Sequence, residues 1–107
     1  MKPKRDVHTS LVDLIAYRLQ ADGFTYIEKE KEYGECVLGE VDVLGVKYNN
    51  IFIFECKSND NPKLLKHGLE QLIRSKGYYQ RNCPDYKIKQ FIVYYNKTGE
   101  PVCQYIK

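Results

Sequence analysis

Gly39-Glu40-Val41-Asp42-Val43-Leu44-Gly45, followed after a short turn by Ile51-Phe52-Ile53-Phe54-Glu55-Cys56-Lys57, is the stretch that decides how this chain is read. The unbroken apolar run at 51–54, entered from Tyr48-Asn49-Asn50, predicts a buried strand. Side chains alternate faces along a strand. Ile51, Ile53, Glu55 and Lys57 are therefore expected on one face, and Phe52, Phe54 and Cys56 on the other. Val41-Asp42-Val43-Leu44 predicts the hairpin partner, with Glu40, Asp42 and Leu44 on a common face. If the two faces coincide, Asp42, Glu55 and Lys57 converge beside apolar strands, where ionised groups are rare unless paired.

Two carboxylates at close range raise one another's proton affinity unless a cation lies between them. Hard oxygen ligands on a rigid sheet suit Mg²⁺, with Mn²⁺ as a substitute and water completing the coordination. Lys57, two residues beyond Glu55, is placed to hold a water or meet a phosphate oxygen. These parts describe metal-assisted phosphodiester hydrolysis. The plain alternatives are a strand-end surface role for Asp42 and a same-face ion pair between Glu55 and Lys57, worth about 0–1 kcal/mol if exposed. The apolar residues around them favour a central strand. Glu40, two positions before Asp42, reads equally well as a further carboxylate of the site and as an exposed strand start.

Outward from this stretch the order of elements is helix, three strands, helix, two strands. Thr9 or Ser10 is a candidate cap for a helix to about Ala21, ended by Asp22-Gly23, with Leu11, Val12, Ile15 and Leu19 as its apolar stripe. Phe24–Ile27 predicts the first strand, and the alternating charges of Lys29–Glu32 a solvated loop or hairpin. Asn59-Asp60-Asn61-Pro62 starts a second helix reaching about Gln80, with Leu65, Leu69, Leu72 and Ile73 as its expected core stripe. Gln90–Tyr95 and Val102–Ile106 predict the last two strands, joined around Lys97–Glu100.

Asp42 followed by Glu55-Cys56-Lys57 resembles the D…ExK signature of the PD-(D/E)xK, or restriction-endonuclease-like, nuclease superfamily. The wording of 39–45 and 53–58 is most similar to archaeal-type Holliday-junction resolvases and related small phage or archaeal nucleases. The resemblance covers almost the whole chain. It implies an α/β fold with an αβββαβ core, a central mixed sheet flanked by helices. It also implies a Mg²⁺-dependent DNA endonuclease, with Asp42, Glu55 and the main-chain carbonyl of Cys56 as metal ligands and Lys57 as a catalytic residue. Many members carry a glutamine in the second helix facing the site, matched here by Gln71; where several have a tyrosine four residues on, this chain has Ser75. Gly68, Gln71 and Ser75 can form a narrow helix face against the sheet. Resolvases similar to this chain place a glutamate in the first helix. This helix has none, and His8, on its stripe face, is the candidate replacement, whereas Asp13 lies nearly opposite the stripe.

One hundred and seven residues suffice for one domain, taken here as a single nuclease domain over 1–107. A branched substrate such as a four-way junction fits a chain with little room for sequence-reading insertions, and cutting it symmetrically calls for a homodimer. Other roles left open are a restriction-type or repair nuclease acting with partners, and a non-catalytic nucleic-acid-binding module. No P-loop, GxSxG or HExxH pattern occurs. Charge is uneven: six acids against two lysines between Glu28 and Asp42, then eight bases against three acids between Lys57 and Lys89. Lys63, Lys66, Arg74, Lys76 and Arg81 are the expected contacts to DNA, although any one of them also reads as a solvated helix face. No apolar run reaches membrane-spanning length, and Met1–Arg5 lacks an apolar signal core, so a soluble, cytoplasmic protein is expected. Cys36, Cys56, Cys83 and Cys103 form no CxxC pair and are expected as reduced, mostly buried thiols.

Overall fold

The computed structural model describes residues 6–107; the basic stretch Met1–Arg5 lies outside the described residues. The elements are α1 (Val7–Ala21), β1 (Tyr26–Tyr33), β2 (Gly39–Lys47), β3 (Asn50–Lys57), α2 (Pro62–Asn82), β4 (Lys87–Tyr95) and β5 (Pro101–Ile106). The expected order is the order found. The five strands lie in one sheet in sequence order, antiparallel except for the parallel β3–β4 pair, so the sheet is mixed and the fold is α/β. A parallel neighbour requires a crossover, and α2 supplies it.

The two helices lie on opposite faces. Leu11, Val12, Ile15 and Leu19 of α1 pack with Val43, Phe54, Cys56 and Val93. Leu72 and Tyr79 of α2 pack with Leu44, Ile51, Ile53 and Ile92. The alternation expected for β3 therefore holds, with its odd and even residues in different cores. The α1 stripe is the expected one, but the helix begins earlier: Asp6, rather than Thr9 or Ser10, is the N-cap, its carboxylate accepting from the Thr9 N–H at 2.7 Å.

Three expectations are corrected. The charged run Lys29–Glu32 is strand, because β1 continues to Tyr33 along the edge of the sheet, where its alternating charges meet water. The buried line of α2 is Gly68, Leu72, Ser75 and Tyr79, whereas Leu69 and Ile73 are exposed, Ile73 at 72%. Small residues bring that helix close to the sheet, and the larger aliphatic residues beside them are turned outward. A Cβ at Gly68 would meet Ile92 Cδ1 at 2.8 Å. Finally, Cys36 and Cys103 are exposed; all four cysteines are free thiols, and of these only Cys56 is fully buried.

The β1–β2 ladder carries a local break. Paired rungs run on either side of Glu30 and Asp42, but that rung itself is unpaired and Glu30 has φ +53°. The break reverses the faces. Val43 belongs to the α1 side and Val41 to the α2 side, although regular alternation would place them together. On β1, Lys29 reaches Asp13 of α1 at 3.0 Å, while Tyr33 packs with Tyr78 and Tyr79 of α2. Asp42 sits at the point of reversal.

Candidate active site

Paired rungs between β2 and β3 run from Lys47↔Asn50 to Val43↔Phe54. Beyond them the strands part, and the next residues along are Asp42 and Glu55. Glu40, Asp42 and Leu44 do not share one face as regular alternation predicted: Leu44 packs on the α2 side, whereas Asp42 meets His8 of α1, with Glu40 near both. Its carboxylate lies between the strands, where Oδ2 accepts the Cys56 main-chain N–H at 2.7 Å, and His8 Nε2 from the start of α1 lies 3.3 Å from the same oxygen. The lost rung is thus replaced by a side-chain hydrogen bond, which satisfies the Cys56 N–H and fixes the carboxylate.

Glu55 is the contrasting partner. It is 0% exposed, and no donor reaches either carboxylate oxygen; protonated, it can itself donate to Asp42, which further raises its pKa. Burial, and then the neighbouring Asp42 carboxylate, push its pKa up to about 9, against the opposing pull of Lys57. A buried polar group without a partner costs on the order of 1–3 kcal/mol, and more if charged. Glu40 stays exposed, and its carboxyl is raised by partial burial and by Glu30, Asp42 and Glu32 around it. The centre therefore crowds carboxyls together and resists ionising them without a counter-charge.

Lys57, at the end of β3, turns to the α2 side and donates to Gln71 Oε1 at 2.7 Å. Gly68 gives the lysine stem its passage beneath the helix: a Cβ there would lie 3.1 Å from Lys57 Cε. The narrow face of Gly68, Gln71 and Ser75 is present, with Gly68 and Ser75 buried and Gln71 half-buried. Ser75 donates to the Leu72 carbonyl at 3.1 Å, and Gln90 of β4 donates to the same carbonyl. The Gln90 bond anchors the helix to the sheet, the Ser75 bond stays within α2, and neither joins the site. Sequence reading missed the role of Gly68 as the channel for Lys57. Its signal was a glycine inside a helical pattern, which is unfavourable by about 1 kcal/mol unless close packing requires it.

Helical periodicity groups four of the five expected base positions, Lys63, Lys66, Arg74 and Arg81, within about 80° of one another on the exposed side of α2 away from its buried line, whereas Lys76 lies half-buried nearer the sheet. Arg74 is near enough to Tyr33 of β1 to oppose the burial-driven rise of its hydroxyl. Asp13, already paired with Lys29, is not brought to the centre.

Hard carboxylate oxygens, the two of Glu55 buried without a donor, suit a divalent cation such as Mg²⁺. Among the described residues no three His, Cys, Asp or Glu side chains are grouped as a complete ligand set. Asp42 and Glu55 would hold such an ion together with main-chain oxygen and water, which is how Mg²⁺ is commonly bound. No helix among the described residues is long and apolar enough to cross a membrane. No protein-family model matches the chain, and no curated protein matches it.

Proposed function

We propose that this protein is a Mg²⁺-dependent nuclease of the restriction-endonuclease-like type that hydrolyses phosphodiester bonds in DNA, with Mn²⁺ able to replace Mg²⁺. The observation that carries the reading is Glu55: a fully buried carboxylate with no donor, beside a second carboxylate, at the open end of two strands. A binding module or a structural core gains nothing from that arrangement, whereas a cation site requires it.

Asp42 and Glu55 would hold the ion, with the Cys56 carbonyl as the main-chain ligand. Bound Mg²⁺ would lower the pKa of a coordinated water and offset charge developing on the phosphate. The remaining work falls to the chain. Lys57, held by Gln71, presents its ammonium to a phosphate oxygen or orients the attacking water. His8 steadies the Asp42 carboxylate from the α1 side. Lys63, Lys66, Arg74 and Arg81, exposed along α2, attract the DNA backbone, and their contribution weakens with salt. A branched substrate, cut by the two centres of a homodimer, is the preferred form of this reading.

The test is a cleavage assay on labelled four-way junction, flap, single-stranded and linear duplex DNA, with Mg²⁺, Mn²⁺ or EDTA, and Glu55→Ala as the control. The expected result is metal-dependent nicking by the wild type, symmetric on the junction, and none by the variant. Cleavage that persists in EDTA or in Glu55→Ala would remove the site; cleavage of another substrate alone would keep the nuclease and discard the junction.

A further inference from the structure

α1 packs chiefly on β1, β2 and β3, so among the described residues no helix covers the same face of the sheet at β4 and β5. A row of rings is left there. Phe24 meets Phe52 edge-on at 4.9 Å, Phe52 lies nearly parallel to Phe91 at 6.1 Å, and Phe91 meets Tyr105 edge-on at 5.2 Å. The register places them. Phe54, Phe91 and Tyr105 form one rung across three strands, and Phe52 lies opposite Lys89 on the next rung of that face. Phe24, Phe52 and Phe91 are half-buried, and Tyr105 is 49% exposed. Phe24, Phe52, Phe54 and Phe91 floor a groove of about 460 Å³ whose wall is the end of α1, with Ile15, Arg18 and Leu19.

Cations stand around these rings. Lys47 Nζ is 5.5 Å from the centre of the Phe24 ring, and Lys89 Nζ is 5.6 Å from that of Phe52. Arg18 lines the groove from α1. Lys87 shares the face of Lys89 by strand alternation, on the rung that joins it through Asn50 to Lys47. Asp22 is the one acidic residue in the lining, and its main-chain carbonyl accepts from Lys47 at 2.7 Å.

We propose that this groove binds single-stranded DNA, with bases stacked on the rings and phosphates held by the lysines and Arg18. A partly exposed ring face with an ammonium over it offers both complements of a nucleotide, a π-surface for the base and a cation for the phosphate. Duplex DNA would use only the charges, because neighbouring base pairs close its base faces. An acidic protein segment would also use the charges and leave the rings bare. The floor is hydrocarbon and has no polar side chain to meet a 2′-hydroxyl, which favours DNA over RNA. The groove lies on the α1 face, opposite the exposed bases of α2. The inference therefore holds whether or not the carboxylate centre cuts DNA.

Fluorescence anisotropy of a labelled oligothymidylate of about 15 nucleotides tests it. EDTA is present throughout, so that metal-dependent cleavage plays no part. The proteins compared are wild type, Phe52→Leu/Phe91→Leu, Tyr105→Ala, Lys89→Gln and Lys63→Gln. Leucine keeps the apolar bulk and removes the ring; circular dichroism checks the fold, and Tyr105→Ala, at an exposed position, probes the same row if the double variant does not fold. The wild type is expected to bind, and the double variant to bind about 10-fold more weakly or worse. Tyr105→Ala should also weaken binding. Lys89→Gln should reduce the slope of log affinity against log salt by about 0.7, whereas Lys63→Gln, on α2, should leave affinity and slope unchanged. No binding by the wild type, affinity indifferent to the ring substitutions, or a loss in Lys63→Gln equal to that in Lys89→Gln would each overturn the proposal. So would equal binding of a polyglutamate peptide, which would assign the face to acidic protein segments, or tighter binding of oligouridylate.

Discussion

The β2–β3 hairpin has two ends that obey opposite rules. At the turn, the rungs from Val43↔Phe54 to Lys47↔Asn50 are paired, Gly45 lies against Leu19 and Phe24, and Phe52 meets Phe24 edge-on at 4.9 Å. At the far end the ladder opens, a carboxylate stands in for a rung, and a second carboxylate is buried with no donor. One pair of strands is thus satisfied at one end and frustrated at the other. The satisfied end holds the frustrated one in place, which is how a folded chain keeps an unfavourable charge constellation assembled. Substitutions at the two ends should therefore separate function from stability.

The largest effect is expected at the open end. Asp42→Ala or Glu55→Ala should lower metal-dependent cleavage by at least about 10³-fold, roughly 4 kcal/mol of barrier, while the folded circular dichroism spectrum is retained. Parallel single-turnover assays and spectra check this. Loss of cleavage together with loss of the fold would show that the two ends are not separable.

Next is the stability of the metal-free chain. The Glu55 carboxyl has its pKa raised from 4.5 to about 9 in the folded state by burial and by Asp42. A raised folded-state pKa means the protonated form is favoured by folding. The stabilisation is full below pH 4.5 and is lost as pH rises through about 9. In EDTA, Glu55→Gln should therefore be more stable than wild type by about 1–3 kcal/mol near pH 8, with the difference vanishing in acid. Adding Mg²⁺ should raise the wild-type melting temperature and leave the variant unmoved. Denaturant titrations across pH, with and without the ion, measure both. A variant that is less stable than wild type in EDTA at pH 8 would mean that Glu55 has a donor in solution.

The satisfied end supplies the opposite outcome. A Cβ at Gly45 would lie 2.9 Å from both Leu19 Cδ1 and Phe24 Cδ2, so Gly45→Ala should destabilise by about 1–3 kcal/mol through overpacking. Cleavage per folded molecule should not change. Chemical denaturation and active-site-normalised rates separate the two.

The same division explains what could be read in the sequence. Strands β2 and β3, the α1 stripe and the placing of Glu55 and Lys57 at the end of β3 follow from apolar runs and alternation, which are local properties. The passage of Lys57 beneath α2 was only half visible, because Gly68, Gln71 and Ser75 carry little hydrophobic signal. Leu69 and Ile73 supplied that signal and were misleading, since close packing of small residues outweighed their size. The placement of Asp42 between the strands was not visible at all. It depends on Glu30 adopting φ +53°, in a run whose alternating charges suit an exposed strand and a loop alike. Periodicity cannot reveal a position where periodicity is broken.

His8 sits where the two ends meet, since α1 packs on the satisfied core and its first turn touches the open site. Its Nε2 is 3.3 Å from Asp42 Oδ2, whose other partner is the Cys56 N–H. Removing the imidazole leaves Asp42 with its main-chain donor but free to swing toward α1. His8→Ala should therefore act on geometry, lowering cleavage or Mg²⁺ affinity by about 10-fold, within the range found for residues that orient metal ligands. The side chain is 39% exposed, so the same substitution should shift stability by no more than about 0.5 kcal/mol. Mg²⁺ titrations of the cleavage rate distinguish the two forms of the effect. A change in the half-saturating Mg²⁺ concentration alone means that His8 holds the ligand; a change in the maximal rate alone means that it acts on the reacting groups. A loss of stability comparable to that of Gly45→Ala would instead assign His8 to the satisfied end.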